Sequence, residues 1–289
     1  MKKFFNRLFK YFKILLLVAL IALIIKSFAF DAFKIPSASM ENTLLPGDFI
    51  FASKLAYNFS TPREIPIIDF HIPHTNIFNI SKPKVNDVVI FQFPHGFEND
   101  SLRSDLKYVK RIIAGPHDTL KISKGEIVVN GKKEELPSTV QIPQVKNGSG
   151  LVYDDNIYPP GTKWNRFNYG PIVVPAKGDT IKITPHNFDR WHSVIVMDYG
   201  ERALIEEGSV VTLAGRPISE YVLKQDCYFV MGDNSAVSLD SRQFGFITDD
   251  MILGKALFIY WSYDPAKTAP GPLGFLSAIR ARRIFKIIE

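Results

Sequence analysis

Apolar positions fall into two patterns along the chain. Between Ile14 and Ile25 they form an unbroken run, which Lys26 interrupts before Ser27-Phe28-Ala29-Phe30. That run alone is short of the roughly 20 residues a helix needs to cross a bilayer. With the Lys26 amine drawn toward the head groups, the stretch to Phe30 becomes 17 residues and predicts a single N-terminal transmembrane helix. From Phe33 onward the pattern changes to short runs of β-branched and aromatic residues between turn residues. Residues 48–52, 87–91, 125–129, 172–174, 180–183, 193–197 and 228–231 read as strands. Sustained 3.6-residue periodicity is scarce, so the expected fold is mainly β. Tyr57–Lys84, rich in Pro and Asn, predicts a long loop. The stretch from Phe275 to Ile288 predicts a short basic amphipathic helix or strand at the membrane surface.

Charge sharpens this picture. Lys2, Lys3, Arg7, Lys10, Lys13 and Lys26 are the only charged residues before Asp31, so the remaining chain carries 29 charges of each sign. A second basic cluster, Arg280, Arg282, Arg283 and Lys286, closes the sequence. Basic ends around a neutral body point to anionic lipid rather than to nucleic acid. Cations ahead of the apolar run predict a cytoplasmic N-terminus and a body across the membrane. A cleaved leader is the rival reading, with Ser27-x-Ala29 as the cut. Cys227 is the only cysteine, which excludes an intrachain disulfide.

Several chemistries lack their marks: there is no Gly-x-Ser-x-Gly elbow and no phosphate-binding Gly-Lys loop. His71 and His74 are three apart, but Pro73 argues against a helical face and no further ligands accompany them. Ser104 and Lys107 fit a Ser-x-x-Lys spacing in a charged stretch unsuited to that chemistry. Three segments remain: Phe33-Lys34-Ile35-Pro36-Ser37-Ala38-Ser39-Met40, Tyr108-Val109-Lys110-Arg111-Ile112-Ile113, and Met231 to Gly245 with its Gly232-Asp233-Asn234 and Ser238-Leu239-Asp240-Ser241-Arg242. Singly they read as a turn, an edge strand and a hairpin.

Together, and in this order behind an anchor, they resemble the bacterial type I signal peptidases, membrane-bound Ser-Lys proteases. The resemblance implies Ser39 as nucleophile, Lys110 as general base, Ser238 orienting the lysine, and the Ser37 hydroxyl with the Ser39 N–H as oxyanion donors. A lysine at its ordinary pKa is neutral in fewer than about one in a thousand molecules at pH 7, and burial among apolar groups is what lowers it. Tyr108, Val109, Ile112 and Ile113 supply such a setting, and Arg111 should point to the opposite face of the strand. By the same resemblance Phe33, Ile35, Pro36, Met40, Leu44, Ile50, Ile90, Tyr108 and Val109 line shallow pockets for the small side chains of a signal peptide. Asp240 and Arg242, with Asp233, would form a supporting ion pair.

The implied architecture is an antiparallel β-sheet catalytic core (31–118 and 225–289), with an inserted β-rich subdomain (119–224), behind a tail and anchor (1–30). No cofactor or metal is implied; the partners are signal peptides of exported preproteins and the lipid bilayer, and the protein acts as a monomer. Three positions depart from the family pattern: Asn42 for proline, Asn86 for a turn glycine, and His117 for glycine. Two other classes compete, a self-cleaving Ser-Lys regulator and a non-enzymatic envelope β-protein. The anchor and the neutral body oppose the first, and the three coordinated motifs oppose the second.

Overall fold

The computed structural model describes residues 2–62, 64–65, 68–71, 75–93, 106–142, 156–199, 204–207, 210–267 and 276–289. Helix α1 runs from Lys2 to Phe28, 27 residues. At about 1.5 Å per residue it is about 40 Å long, enough to cross a bilayer with room to spare. It starts earlier than the apolar run because no Gly or Pro interrupts residues 2–28. The most apolar 18-residue window within Phe4–Phe28 has a mean hydropathy of 2.5 and is not buried against the rest of the protein. At its C-terminal end the Lys54 amine donates to the Lys26 carbonyl (3.0 Å), a cation where the helix dipole favours one.

Ala29 alone separates α1 from strand β1 (Phe30–Lys34). With β2 (Asp48–Ser53), β3 (Val88–Gln92), β4 (Lys107–Ala114), β5 (Cys227–Met231), β6 (Ile247–Thr248) and β7 (Ile252–Ser262), it builds an antiparallel sheet in the order β1-β2-β7-β3-β4-β5-β6. Alternation sets its faces: in β2, Asp48, Ile50 and Ala52 point inward, while Phe49, Phe51 and Ser53 are half-exposed. The hydrophobic cluster beneath this end holds Ile35, Met40, Leu44, Ile50, Ile90, Ile259 and Ile288, with Phe33 and Val109 against it.

The chain leaves the sheet after β4 and returns at β5. In between lie a four-stranded sheet (Thr119–Ser123, Glu126–Val129, Lys132–Lys133 and Tyr169–Val173) and two smaller sheets. This excursion has no core of its own. Leu120, Ile122, Tyr169, Ile172 and Trp191 share one buried cluster with Ile113, Ala114, Phe229, Met231 and Phe246 from the large sheet and its loops.

Residues 193–197, expected as a strand, belong to helix α2 (Phe188–Tyr199). The run Ser193-Val194-Ile195-Val196-Met197 has strand propensity, but Trp191, Val194 and Ile195 lie at helical spacing and are buried on one face. A capping box at Thr184 and Asn187, with Pro185 following, starts the preceding turn. Nor is Tyr57–Lys84 a plain loop. Asn58–Ser60 pairs with Asn76–Asn79, and Glu64–Ile65 with Ile68–His71, giving a ribbon whose aromatic cross-strand pair Phe59–Phe78 outweighs its Pro and Asn content. His74 and the side chain of His71 lie outside the described residues, and among those described no cluster of His, Cys, Asp or Glu is arranged to hold a metal.

Candidate active site

Past β1 the chain turns sharply, and the turn carries Ser37 and Ser39. The Glu41 N–H bonds to the Ala38 carbonyl and the Leu44 N–H to the Met40 carbonyl, while Met40, Thr43 and Leu44 are buried as the turn's footing. Asn42 sits at φ 74°, a left-handed conformation that Asn tolerates and proline, locked near −65°, is denied. Asn86 (φ 73°) and His117 (φ 65°) also occupy that region, which explains why glycine suits their places.

Strand β4 brings the lysine. Side chains alternate across a strand, so Lys110 and its neighbour Arg111 face opposite ways. Lys110 Nζ lies 2.7 Å from Ser39 Oγ, and the lysine is 1% exposed. Burial depresses its pKa to about 8, against the pull of the nearby Asp240 and Asp233 carboxylates, with Arg242 adding to the depression. The Ser37 hydroxyl stands 3.4 Å from Ser39 Oγ. The Ser39 carbonyl accepts from the Asn234 N–H (3.0 Å), tying the serine turn to the Gly-Asp-Asn segment.

That segment comes closer still at Gly232. A Cβ there would sit 2.5 Å from the Ser39 carbonyl oxygen and 2.3 Å from Ser238 Oγ. Ser238 is buried beside the site, but its hydroxyl forms no hydrogen bond to Lys110, contrary to its expected orienting role. The hydroxyl instead helps to hold down the Asp240 carboxyl. Burial alone would raise that carboxyl; Arg242 above all, together with Ser238 and Lys110, brings it below the usual range. Asp240 and Arg242 form the expected ion pair, both buried, with Nε–Oδ1 and Nη2–Oδ2 contacts of 2.8 Å. Asp240 also caps the short helix α3 (Ser241–Phe244) and accepts from the Gly232 N–H.

Asp233 is not part of that pair. Its partner is Arg111, which reaches Oδ1 and Oδ2 through Nε (2.8 Å) and Nη2 (2.7 Å) and donates its Nη1 to the Asn86 carbonyl. Thr43 also donates to Asp233 and bonds to Thr139 at 2.7 Å, while the Gln141 N–H reaches the Asp233 carbonyl. A fork–fork pair of this kind joins the back of the lysine strand to the footing of the serine turn. Arg111, Thr43 and Thr139 were missed; a lone arginine in an apolar strand, opposite an aspartate left over after Asp240 and Arg242 are matched, was the available signal.

Part of the basic C-terminus is taken up by the fold. Arg283 is bound to Asp48 (Nη2–Oδ2 2.6 Å) and donates to the Thr43 carbonyl, and Arg280 donates to the Pro46 carbonyl and pairs with Asp264. These two arginines grip the loop between the serine turn and β2, while Arg282 and Lys286 stay exposed. Nothing in the sequence couples Arg283 to Asp48.

The expected pocket residues divide. Ile35, Met40, Leu44, Ile50 and Ile90 are buried in one cluster and lie beneath the surface; Phe33 and Val109 are half-buried at its rim, and Pro36 is exposed. Tyr108 packs instead toward Phe93 (4.7 Å between ring centres), with Lys110 Nζ 5.6 Å from its ring centre.

A buried lysine with a depressed pKa against a serine hydroxyl, on an antiparallel β fold behind an apolar helix, has the residue types and geometry of a hydrolase site. The family model of the signal peptidases, peptidase S26, matches residues 8–261, and the chain belongs to this family. Its members are serine peptidases, so the protein is an enzyme that cleaves peptide bonds. Curated relatives named signal peptidase I include those of Buchnera aphidicola subsp. Schizaphis graminum (29% identical, 92% of this chain and 78% of the relative) and Aquifex aeolicus (29%, 92% and 89%). That of Haemophilus influenzae is 28% identical over 94% of this chain and 73% of its own. The solved signal peptidase I of Enterococcus faecalis V583 is 17% identical, covers 61% of this chain and 97% of its own, and superposes with a TM-score of 0.30.

Proposed function

We propose that the protein removes signal peptides from exported preproteins at small-x-small sites, with Ser39 as nucleophile and Lys110 as general base. The observation that carries this is the 2.7 Å contact between a lysine shut away from water and a serine on a turn next to the anchor. Lys110 takes the Ser39 proton as the oxygen attacks the scissile carbonyl carbon, and the Ser39 N–H and Ser37 hydroxyl meet the negative oxygen. The ammonium then protonates the leaving amine, and water, deprotonated by Lys110, releases the acyl group. An extended substrate has an edge to join. Among the described residues β1 pairs on one side only, with β2, and β5 pairs with β4 only from Arg111 onward.

The partners are signal peptides and the bilayer, and the protein works as a monomer without cofactor. The cations at the start of α1 favour a cytoplasmic N-terminus, with the catalytic body on the extracytoplasmic face of the membrane. The test is cleavage of an Ala-x-Ala peptide by the detergent-solubilised protein. Ser39→Ala should lower the rate by more than about a thousandfold, and equal rates for the variant and the wild type would overturn the reading.

A further inference from the structure

The ribbon that replaces the expected loop has a surface unsuited to water. Its described base, residues 58–61 and 75–80, contains no charged residue. Ile77, Phe78 and Ile80 are each more than half exposed. Cross-strand partners share a face, so Phe59 and Phe78 stack with ring centres 5.3 Å apart, and Ile77 falls on the other face by alternation. A water-exposed ribbon would keep one face polar, because two strands alone are marginal and an apolar face invites aggregation.

What covers this surface follows from where the stack leads. Phe28, the last residue of α1, stacks on Phe59 at 5.8 Å. Three rings therefore run from the end of the membrane-crossing helix outward along the ribbon. The end of such a helix is the head-group level, where aromatic side chains are favoured and backbone groups can still meet water. A soluble protein seated on these residues would have to enter the same layer.

We propose that this ribbon is a second membrane contact, with Ile77, Phe78 and Ile80 seated in the interface of the bilayer that α1 crosses. One helix leaves the body free to tilt relative to the bilayer. A lateral contact beside its end removes that freedom and fixes which side of the catalytic sheet faces the lipid. The inference rests on the reading of α1 as an anchor, and its test is separate from that reading.

Full-length protein in vesicles of phosphatidylethanolamine and phosphatidylglycerol would carry an environment-sensitive fluorophore on Ile77→Cys or Phe78→Cys, with Val210→Cys on the excursion as the aqueous reference. Cys227 is buried and does not compete for label. Labels at 77 and 78 should shift to the blue and be quenched by nitroxide-bearing lipid at least about threefold more than the label at 210, as burial in an apolar layer requires. Iodide in the water quenching all three alike would overturn the proposal, as would protection that appears only when a preprotein is added. Extraction of the wild type by alkaline carbonate would instead sink the anchor and leave the ribbon's result to stand apart. In a second arm, Ile77→Asp/Phe78→Asp should slow cleavage of a bilayer-inserted preprotein about tenfold and leave cleavage of a short peptide in detergent within about twofold. Equal loss in both assays would count against the ribbon as a lipid contact.

Discussion

In the proposed mechanism Lys110 is the residue on which the chemistry turns, and its pKa sets the pH profile. Only the neutral amine accepts the serine proton, and at a pKa of about 8 roughly one molecule in ten has it at pH 7. Cleavage rate should therefore climb about tenfold per pH unit below 8 and level off above it; a flat profile between pH 6 and 9 would show that another group is the base. Lys110→Met should bind peptide and cut nothing measurable. At Asn42 the family's proline is the wrong residue for this chain, because φ 74° is closed to it. Asn42→Pro should destabilise by more than about 1 kcal/mol in a denaturant melt, whereas Asn42→Gly should stay close to wild type. Unchanged stability in the proline variant would show that the turn can re-form. Gly232→Ala tests close approach. The Ser39 carbonyl 2.5 Å from the new methyl cannot retreat without moving the nucleophile. A shift of 1 Å there should cost about a hundredfold in kcat.

At the scale of elements, the site is a joint between three pieces of chain. The serine turn, the lysine strand and the Gly-Asp-Asn segment were legible from their order and residue types, and so was the mainly β fold. The rest depended on contacts between residues far apart in sequence. Asp233 pairs with Arg111 across 122 positions and Arg283 with Asp48 across 235, distances that no local pattern spans. The α2 region was misread because Val and Ile favour strands in isolation, and packing of Trp191 into the shared core decides otherwise. The C-terminal grip makes its own prediction. Arg283→Gln removes a charged bond to buried Asp48 and one to the Thr43 carbonyl, and should cost about 1.5–3 kcal/mol in stability. A variant as stable as wild type would show that this grip does not hold the loop.

On the scale of the whole molecule, the core crosses the boundary that the sequence suggested at residue 119. The excursion after β4 buries its apolar residues against the large sheet, its Thr139 reaches the footing of the serine turn, and its Gln141 bonds to the Asp233 carbonyl. Removing it would expose that cluster, so a version cut down to the sheet should fail to fold. The anchor is bound to the body just as closely, since Ala29 is all that lies between α1 and β1, and Lys54 bonds across the joint to Lys26 and Asp31. Under the function proposed above, an enzyme hung this way would work like a height gauge. Its cutting edge would stand at one set elevation above the bilayer, and chains would be trimmed where their own length brings them to that mark. A slack Gly-Ser-Gly spliced in at Ala29 would blur the mark, and preproteins with unusually short or long stretches before the cut should then be trimmed as readily as ordinary ones.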